Sequence, residues 1–482
     1  MSTAVVDRTA TSGFLATGRG RLVVVVLAAV GFLDFVDASI VNIALPDIGT
    51  DLEISVHSLQ WVVSGYLLTY GGFMLLGGRL ADLFGRRRVL LAGTVVFALA
   101  SLTAGMSSTQ TELVGSRLLQ GLGAALMVPA ALSLLTTSFV GQDRHKVLAV
   151  WGGIAGLGGA VGVLGGGLFT AGPGWRWIFF VNPPVAVVLI AAVLAIFPSE
   201  VARGRFGEMD LPGAVLVTGG MLLLVHALVE APGHGWGSAR TIVELVGAGV
   251  VLLTFVVAEA TSRRPLVPLT IFRVRGLAAA DLTQLMGVGG FATMFFFLTL
   301  YMQDVLGYSP IEAGLGYLPA TVAIGISVSA AAPAISRFGT KPVIVVGALI
   351  TGAGLFLLSG IAVDGSYLHE VLPGLVVTNL GIGGVFVGTT TTANSGVPVS
   401  VAGLAAALVN ASQQVGGALG LAVFTALAAS RTSDALADGS RMAAALTDGF
   451  GRAFLAVAVF LAVAAVVALW TANTRGDEPA GH

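Results

Sequence analysis

The chain has 482 residues, 56% of them hydrophobic and only 10% charged, against roughly 25% charged in an ordinary soluble domain, so a water-soluble fold of this size is excluded. Its 24 Lys plus Arg and 25 Asp plus Glu nearly cancel, and no basic block points to a nucleic-acid partner. With no Cys there is no disulfide framework, no thiolate nucleophile and no Cys-ligated metal.

Apolar runs separated by charge or by Pro and Gly predict membrane spans at 22–44, 58–78, 88–106, 112–138, 147–169, 178–197, 211–230, 240–260, 277–302, 312–333, 341–362, 370–394, 402–428 and 450–472. Arg8, Arg19 and Arg21 before the first run imitate a secretory leader, but the run is long, carries Asp34 and Asp37, and lacks a small-residue cleavage site. It reads as a retained first helix. An even count of 14 places both termini on one side. That side collects Arg8, Arg19, Arg21, Arg79, Arg86, Arg87, Arg88, Arg144, Lys146, Arg203, Arg205, Arg263, Arg264, Arg273, Arg275, Arg337, Lys341 and Arg475. Only Arg176, Arg240, Arg431, Arg441 and Arg452 fall on the other, with Arg117 inside the fourth span. The positive-inside rule makes the terminal side cytoplasmic. The preference for Arg over Lys hints at a GC-rich bacterium, so the expected location is a bacterial cytoplasmic (inner) membrane, multi-pass, with both termini cytoplasmic.

Charged stretches at Ser199 to Asp210 and Arg263 to Arg275 divide the spans six, two and six. The expected organisation is an N-terminal six-helix bundle (1–197), an inserted helix pair with cytoplasmic linkers (198–275) and a C-terminal six-helix bundle (276–482), a duplicated transporter plan.

In the first span, Asp34 and Asp37 are three residues apart on neighbouring faces at membrane depth. Burial favours the neutral form of a carboxyl, which suits such a group to exchanging protons or attracting a cationic substrate; bonding to helix backbone or to Arg117 is the alternative role. Arg117, within the fourth span, demands a partner or a water-filled cavity. After the second span comes Gly78-Arg79-Leu80-Ala81-Asp82-Leu83-Phe84-Gly85-Arg86-Arg87-Arg88. Here glycine lets helix ends approach, Asp82 can accept from a neighbouring helix N-terminus, and the Arg cluster anchors the loop. A weaker echo, Ser336-Arg337-Phe338-Gly339-Thr340-Lys341, follows the tenth span. In the fifth span Gly158, Gly162 and Gly166 are spaced by four and form a smooth strip for helix packing.

Other polar residues at membrane depth either line a cavity or bond between helices: Gln60, Tyr66 and Tyr70 in the second span, Gln284 in the ninth, Asn379 in the twelfth, and Asn410, Gln413 and Gln414 in the thirteenth. Asp281 lies near the end of its span and is expected to be solvated. His226 and Glu230 share a face of the inserted pair, without an assigned role. Phe291, Phe295, Phe296, Phe297 and Tyr301 give the ninth span an aromatic surface, expected to face lipid, with a cavity for flat cations as the alternative.

The loop after the second span resembles the signature loop of the major facilitator superfamily, G-x-L-A-D-R-x-G-R-R, with Leu83 in place of Arg. Further matches are similar to its 14-span drug:proton antiporter branch of multidrug exporters: Leu33-Asp34-Phe35-Val36-Asp37 through Leu45-Pro46, Arg117-Leu118-Leu119-Gln120-Gly121-Leu122-Gly123, Trp175 to Pro184 and Tyr301 to Pro310. The element Gly162-Val163-Leu164-Gly165-Gly166-Gly167 resembles the branch's G-P-x-x-G-G, with Val163 replacing the proline. The resemblance implies an all-α integral membrane protein of major-facilitator fold, two six-helix bundles plus two inserted helices, 14 transmembrane helices in all. It implies a proton-coupled exporter of amphipathic drugs or antibiotics working by alternating access. Asp37, Asp34 and Arg117 would couple protons to substrate, and Gly78, Asp82, Gly85, Arg86 and Arg87 would form a conformational gate. Neither an enzyme nor a cofactor or metal is expected, the proton gradient supplying the energy. The expected partners are a small amphipathic substrate, protons and the lipid bilayer, without nucleic acid, the chain acting as a monomer. A proton symporter importing a metabolite and a non-transporting receptor are the alternatives.

Overall fold

The computed structural model describes residues 14–198, 210–262, 265–395 and 402–475. Among the described residues there is no strand, and fourteen helices are long and apolar enough to cross a membrane. They are α1 (Gly18–Asp51), α2 (Ser58–Phe84), α3 (Arg86–Met106), α4 (Gln110–Ser138), α5 (Gln142–Ala171), α6 (Trp177–Ile196), α7 (Leu211–His234), α8 (Ala239–Thr261), α9 (Leu277–Val305), α10 (Pro310–Phe338), α11 (Thr340–Leu358), α12 (Tyr367–Asn394), α13 (Leu404–Ala437) and α14 (Met442–Ala468). The predicted count holds, but several helices outrun their apolar cores: α1 continues to Asp51 and α13 to Ala437. Arg8, Arg203, Arg205, Arg263 and Arg264 lie outside the described residues. The other basic residues assigned to the terminal side sit at or beyond one set of helix ends, hereafter the basic end.

Helix ends follow local chemistry. The Thr17 hydroxyl accepts from the Gly20 amide at the start of α1, and Thr109 and Ser238 do the same for α4 and α8. Ser309 and Glu312 form a reciprocal capping box at the start of α10. Gly85 (φ 98°) and Gly339 (φ 88°) each end one helix and begin the next, at the α2–α3 and α10–α11 turns, where a side chain would be strained. The two turns occupy equivalent places in the halves, which is how a duplication shows itself in backbone conformation. In α6 the helix breaks at Val181 before Pro183 and Pro184, since two residues without N–H groups cannot continue the ladder.

Within lipid, helices associate through close packing, and small residues set the approach. Gly93 and Gly123 bring α3 against α4, and Gly347 and Gly381 bring α11 against α12. Helices α1 to α6 pack chiefly on one another, as do α9 to α14, while α7 and α8 pair together beside α2 and α13. The halves meet along α2 and α13, where Gly71 backs on Gln414 and Val415. They meet again at the end opposite the basic loops: Gln303 Nε2 donates to the Ile43 carbonyl (2.9 Å), Gly167 lies on Pro310 and Ile311, and Gly314 lies on the Val163 carbonyl. Toward the basic end, Val150, Gly152, Gly153 and Leu157 of α5 and Val322, Ile326 and Val328 of α10 are exposed. The two halves are thus closed against each other at the far end.

Two expectations are corrected here. The aromatic residues of α9 do not face lipid: Phe296 and Phe297 are fully buried, and Phe297 packs on Phe450 and Phe454 of α14. Asp281 is not solvated but 7% exposed, and neither carboxyl oxygen has a hydrogen-bond partner among the described residues.

Candidate functional site

Asp37 faces inward from α1 and Arg117 from α4, and both are buried inside the N-terminal half (0% and 1% exposed). Arg117 Nη1 donates to Asp37 Oδ2 at 2.7 Å and to Gln120 Oε1 at 2.7 Å, and its Nε donates to the Val62 carbonyl of α2 at 2.9 Å. Gln120 Nε2 (2.6 Å) and Asn182 Nδ2 (2.7 Å) both donate to Asp37 Oδ1. Asn182 is held in turn by Ser101 Oγ, which donates to the Phe179 carbonyl. The guanidinium stands 4.3 Å from the centroid of the Tyr66 ring, a cation–π contact in a water-poor site. Removing a charge pair from water is costly, and this one is sustained by three further polar partners, the Val62 carbonyl on α2, Gln120 on α4 and Asn182 on α6. Sequence reading cast Asp37 and Arg117 in the site but gave Gln120, Asn182 and Ser101 no part. Gln120 is three residues after Arg117 and so shares its helix face. The Asn182-Pro183-Pro184 break turns the asparagine into the bundle.

Asp34 stands one helical turn nearer the basic end, 4% exposed. It meets no cation. The Tyr66 hydroxyl donates to Oδ1 and the Tyr70 hydroxyl to Oδ2 (3.3 Å). Tyr66 therefore touches both centres, bonding Asp34 while its ring covers Arg117. Tyr70 precedes Gly71, the residue that backs on α13, so Asp34 lies beside the crossing of the two halves.

The other predicted residues disperse. Gln60 is fully buried and neither of its side-chain polar atoms has a partner among the described residues, and Gln284 Oε1 accepts from Thr389 of α12. Asn379 and Asn410 donate back to the Leu375 and Ala406 carbonyls of their own helices, and Gln413 is half-buried. His226 and Glu230 do not pair; each faces a different partner, Glu244 and His234. In the basic loop Asp82 lies 3.6 Å from Arg86, so it does not cap a neighbouring helix. Arg86 donates to Thr137 at the end of α4, and Arg87 to the Leu194 carbonyl at the end of α6. The close approach expected at Gly78 occurs one residue earlier, at Gly77, which lies against the Ala125 carbonyl. Gly158, Gly162 and Gly166 do form one strip, lying on Phe35, on Val36 and Ser39, and on Ile40 and Ile43 of α1.

Residues 27–421 match the family model described as Major Facilitator Superfamily. The chain belongs to the Major Facilitator Superfamily. This superfamily member is 38% identical over 471 residues to the cephamycin export protein CmcT of Amycolatopsis lactamdurans, covering 96% of this chain and 95% of that one. It is 38% identical over 457 residues to the puromycin resistance protein pur8 of Streptomyces alboniger, covering 92% and 90%. Among solved structures, the POT family transporter PepTSo superposes with a TM-score of 0.66 at 17% identity, over 93% of this chain and 98% of that one, a likeness of fold. The major-facilitator fold and a multi-pass membrane transporter carrying 14 spans are thereby established.

Proposed function

We propose that the chain is a proton-coupled exporter of amphipathic drugs or antibiotics, an antiporter acting by alternating access in a bacterial cytoplasmic membrane. In this reading the basic end and both termini are cytoplasmic, and the described conformation is closed on the outer side. One chain forms the whole pathway, the proton gradient is the energy source, and no enzymatic step or cofactor takes part.

The observation that carries the proposal is the pair of carboxyls one turn apart on α1. Asp37 is compensated by a fixed guanidinium and two amides, whereas Asp34 is held only by tyrosine hydroxyls beside the crossing of the halves. A carboxyl without a cation in an apolar setting is the one a proton neutralises. Asp34 then exchanges the proton with the pathway, and Asp37 with Arg117 supplies the fixed field, sensing Asp34 through Tyr66. Protonation from outside releases substrate outward, and deprotonation inward resets the site. The loop with Gly78, Asp82, Gly85, Arg86 and Arg87 ties the ends of α2, α4 and α6, as a gate acting on bundle rocking requires. The export and resistance roles named for the relatives support the outward direction.

The test is efflux of a lipophilic cationic dye from cells making the chain, with and without a protonophore. Export is expected to stop with the gradient, and to fall at least tenfold in Asp34→Asn with the protein still folded. Dye accumulation driven by the gradient would make the chain an importer, and export indifferent to both treatments would remove proton coupling altogether.

A further inference from the structure

Asp281 is a buried acid that the pathway above does not use. Among the described residues it is the one carboxyl with both oxygens buried and unpartnered, whereas Asp34 and Asp37 are hydrogen-bonded on both. It sits in the first turns of α9, at the basic end of the C-terminal half. Residues 281, 284, 288, 291 and 295 share one face of that helix. Along this face Gln284 accepts from Thr389 of α12, Phe291 meets Phe386, and Phe295 stacks on Tyr317. Two further polar atoms at this level lack partners, Gln284 Nε2 and Thr392 Oγ1.

Among the described residues the elements packed at this end of α9 bring no countercharge, and Glu259 of α8, which accepts from the Val267 amide, is itself an acid. The apolar cluster there consists of Leu277 and Ala280, Ala393 of α12, Ala405, Leu408 and Val409 of α13, and Val267 and Ile271, with Leu75 of α2 against it. The charged groups of the same end, Arg79 and Asp82 on α2 and Arg273 and Arg275 before α9, are exposed. An ionised carboxylate left there without cation or donor is strongly disfavoured, as any unpaired buried charge is. A proton removes that cost, and Asp281 lies within the first turns of α9, close to the basic end where that proton would be exchanged.

We propose that Asp281 is a second proton-carrying carboxyl, lodged in the C-terminal half and loaded and unloaded at the basic end. The inference rests on the reading of the chain as a proton-coupled exporter and deepens it: each half then contributes one exchangeable acid, Asp34 on α1 and Asp281 on α9, and more than one proton moves per cycle.

The test uses the full chain, purified and returned to lipid. Infrared pH-difference spectra are expected to show a protonated-carboxyl band, part of which disappears in Asp281→Asn and returns, shifted, in Asp281→Glu. Protons counted per substrate in proteoliposomes should fall in Asp281→Asn and recover in Asp281→Glu. Substrate exchange at equal pH on both sides is retained in each variant, which reports that the fold is intact. A band unchanged by Asp281→Asn, or an unchanged proton count, overturns the proposal. A wild-type chain that moves substrate without protons overturns the coupled reading of the chain instead, while the infrared band still decides whether Asp281 holds a proton.

Discussion

Arg117→Ala should unfold more easily than the parent by about 3–5 kcal/mol, the cost of leaving one member of a buried pair uncompensated, and should export nothing. The magnitude follows from what remains: Asp37 keeps Gln120 and Asn182, but its charge loses the one cation in reach, and the Val62 carbonyl and the Tyr66 ring lose theirs. Adding Asp37→Ala to Arg117→Ala is expected to recover part of the loss, because the double change removes the orphaned charge. Arg117→Lys should not rescue, since an ammonium cannot reach Asp37, Gln120 and the Val62 carbonyl from one position as the planar guanidinium does. Thermal unfolding in detergent, read beside dye efflux, checks all three. A loss no larger than that of a surface arginine would mean that the pair contributes nothing to holding the half together.

The second large effect is expected on conformation rather than stability. Gly167 faces α10 at the sealed end, and an added Cβ would stand 2.7 Å from the Pro310 carbonyl. Gly167→Leu therefore overpacks one conformation selectively, at about 1–3 kcal/mol, which is a shift of roughly 5–150-fold toward the state opened at that end. The chain has no Cys of its own, so one cysteine placed at Gln303 can be labelled from the far side by an impermeant thiol reagent. Labelling should be faster in Gly167→Leu and unchanged in Gly153→Leu, whose added side chain meets open space on the same helix. Equal labelling in the two would refute the seal described at α5 and α10.

The span count and the family were legible in the sequence because each span must independently supply its own apolar length, and because motifs in the right order do not depend on how helices are rotated. Rotation is what a single sequence withholds. A helix that is apolar all round has no polar face to say which side is lipid and which is protein. That is why Phe296 and Phe297 were expected at the lipid, and why Asn182 and Ser101 went unassigned although Asn182 lay within a quoted motif; Asp281 was expected in water for its depth instead, being near the end of its span. Arg117 escaped this ambiguity because a guanidinium at membrane depth must be compensated wherever it points. That one of the two acids on α1 could be its partner was legible only as their alternative role, and the tyrosine between the two acids was visible only as one of several polar residues on α2.

The ion pair also has an electrical consequence. Asp37 and Arg117 belong to helices of the same half, so when that half rocks they travel together and carry no net charge through the membrane field. A single charge crossing the whole field exchanges about 2.3 kcal/mol per 100 mV with it, but this pair exchanges none. In the proposed cycle voltage therefore acts on the protons that ride on unpaired acids and on whatever charge the substrate brings, and the current per molecule exported would read out those cargoes with the charges of this pair already cancelled.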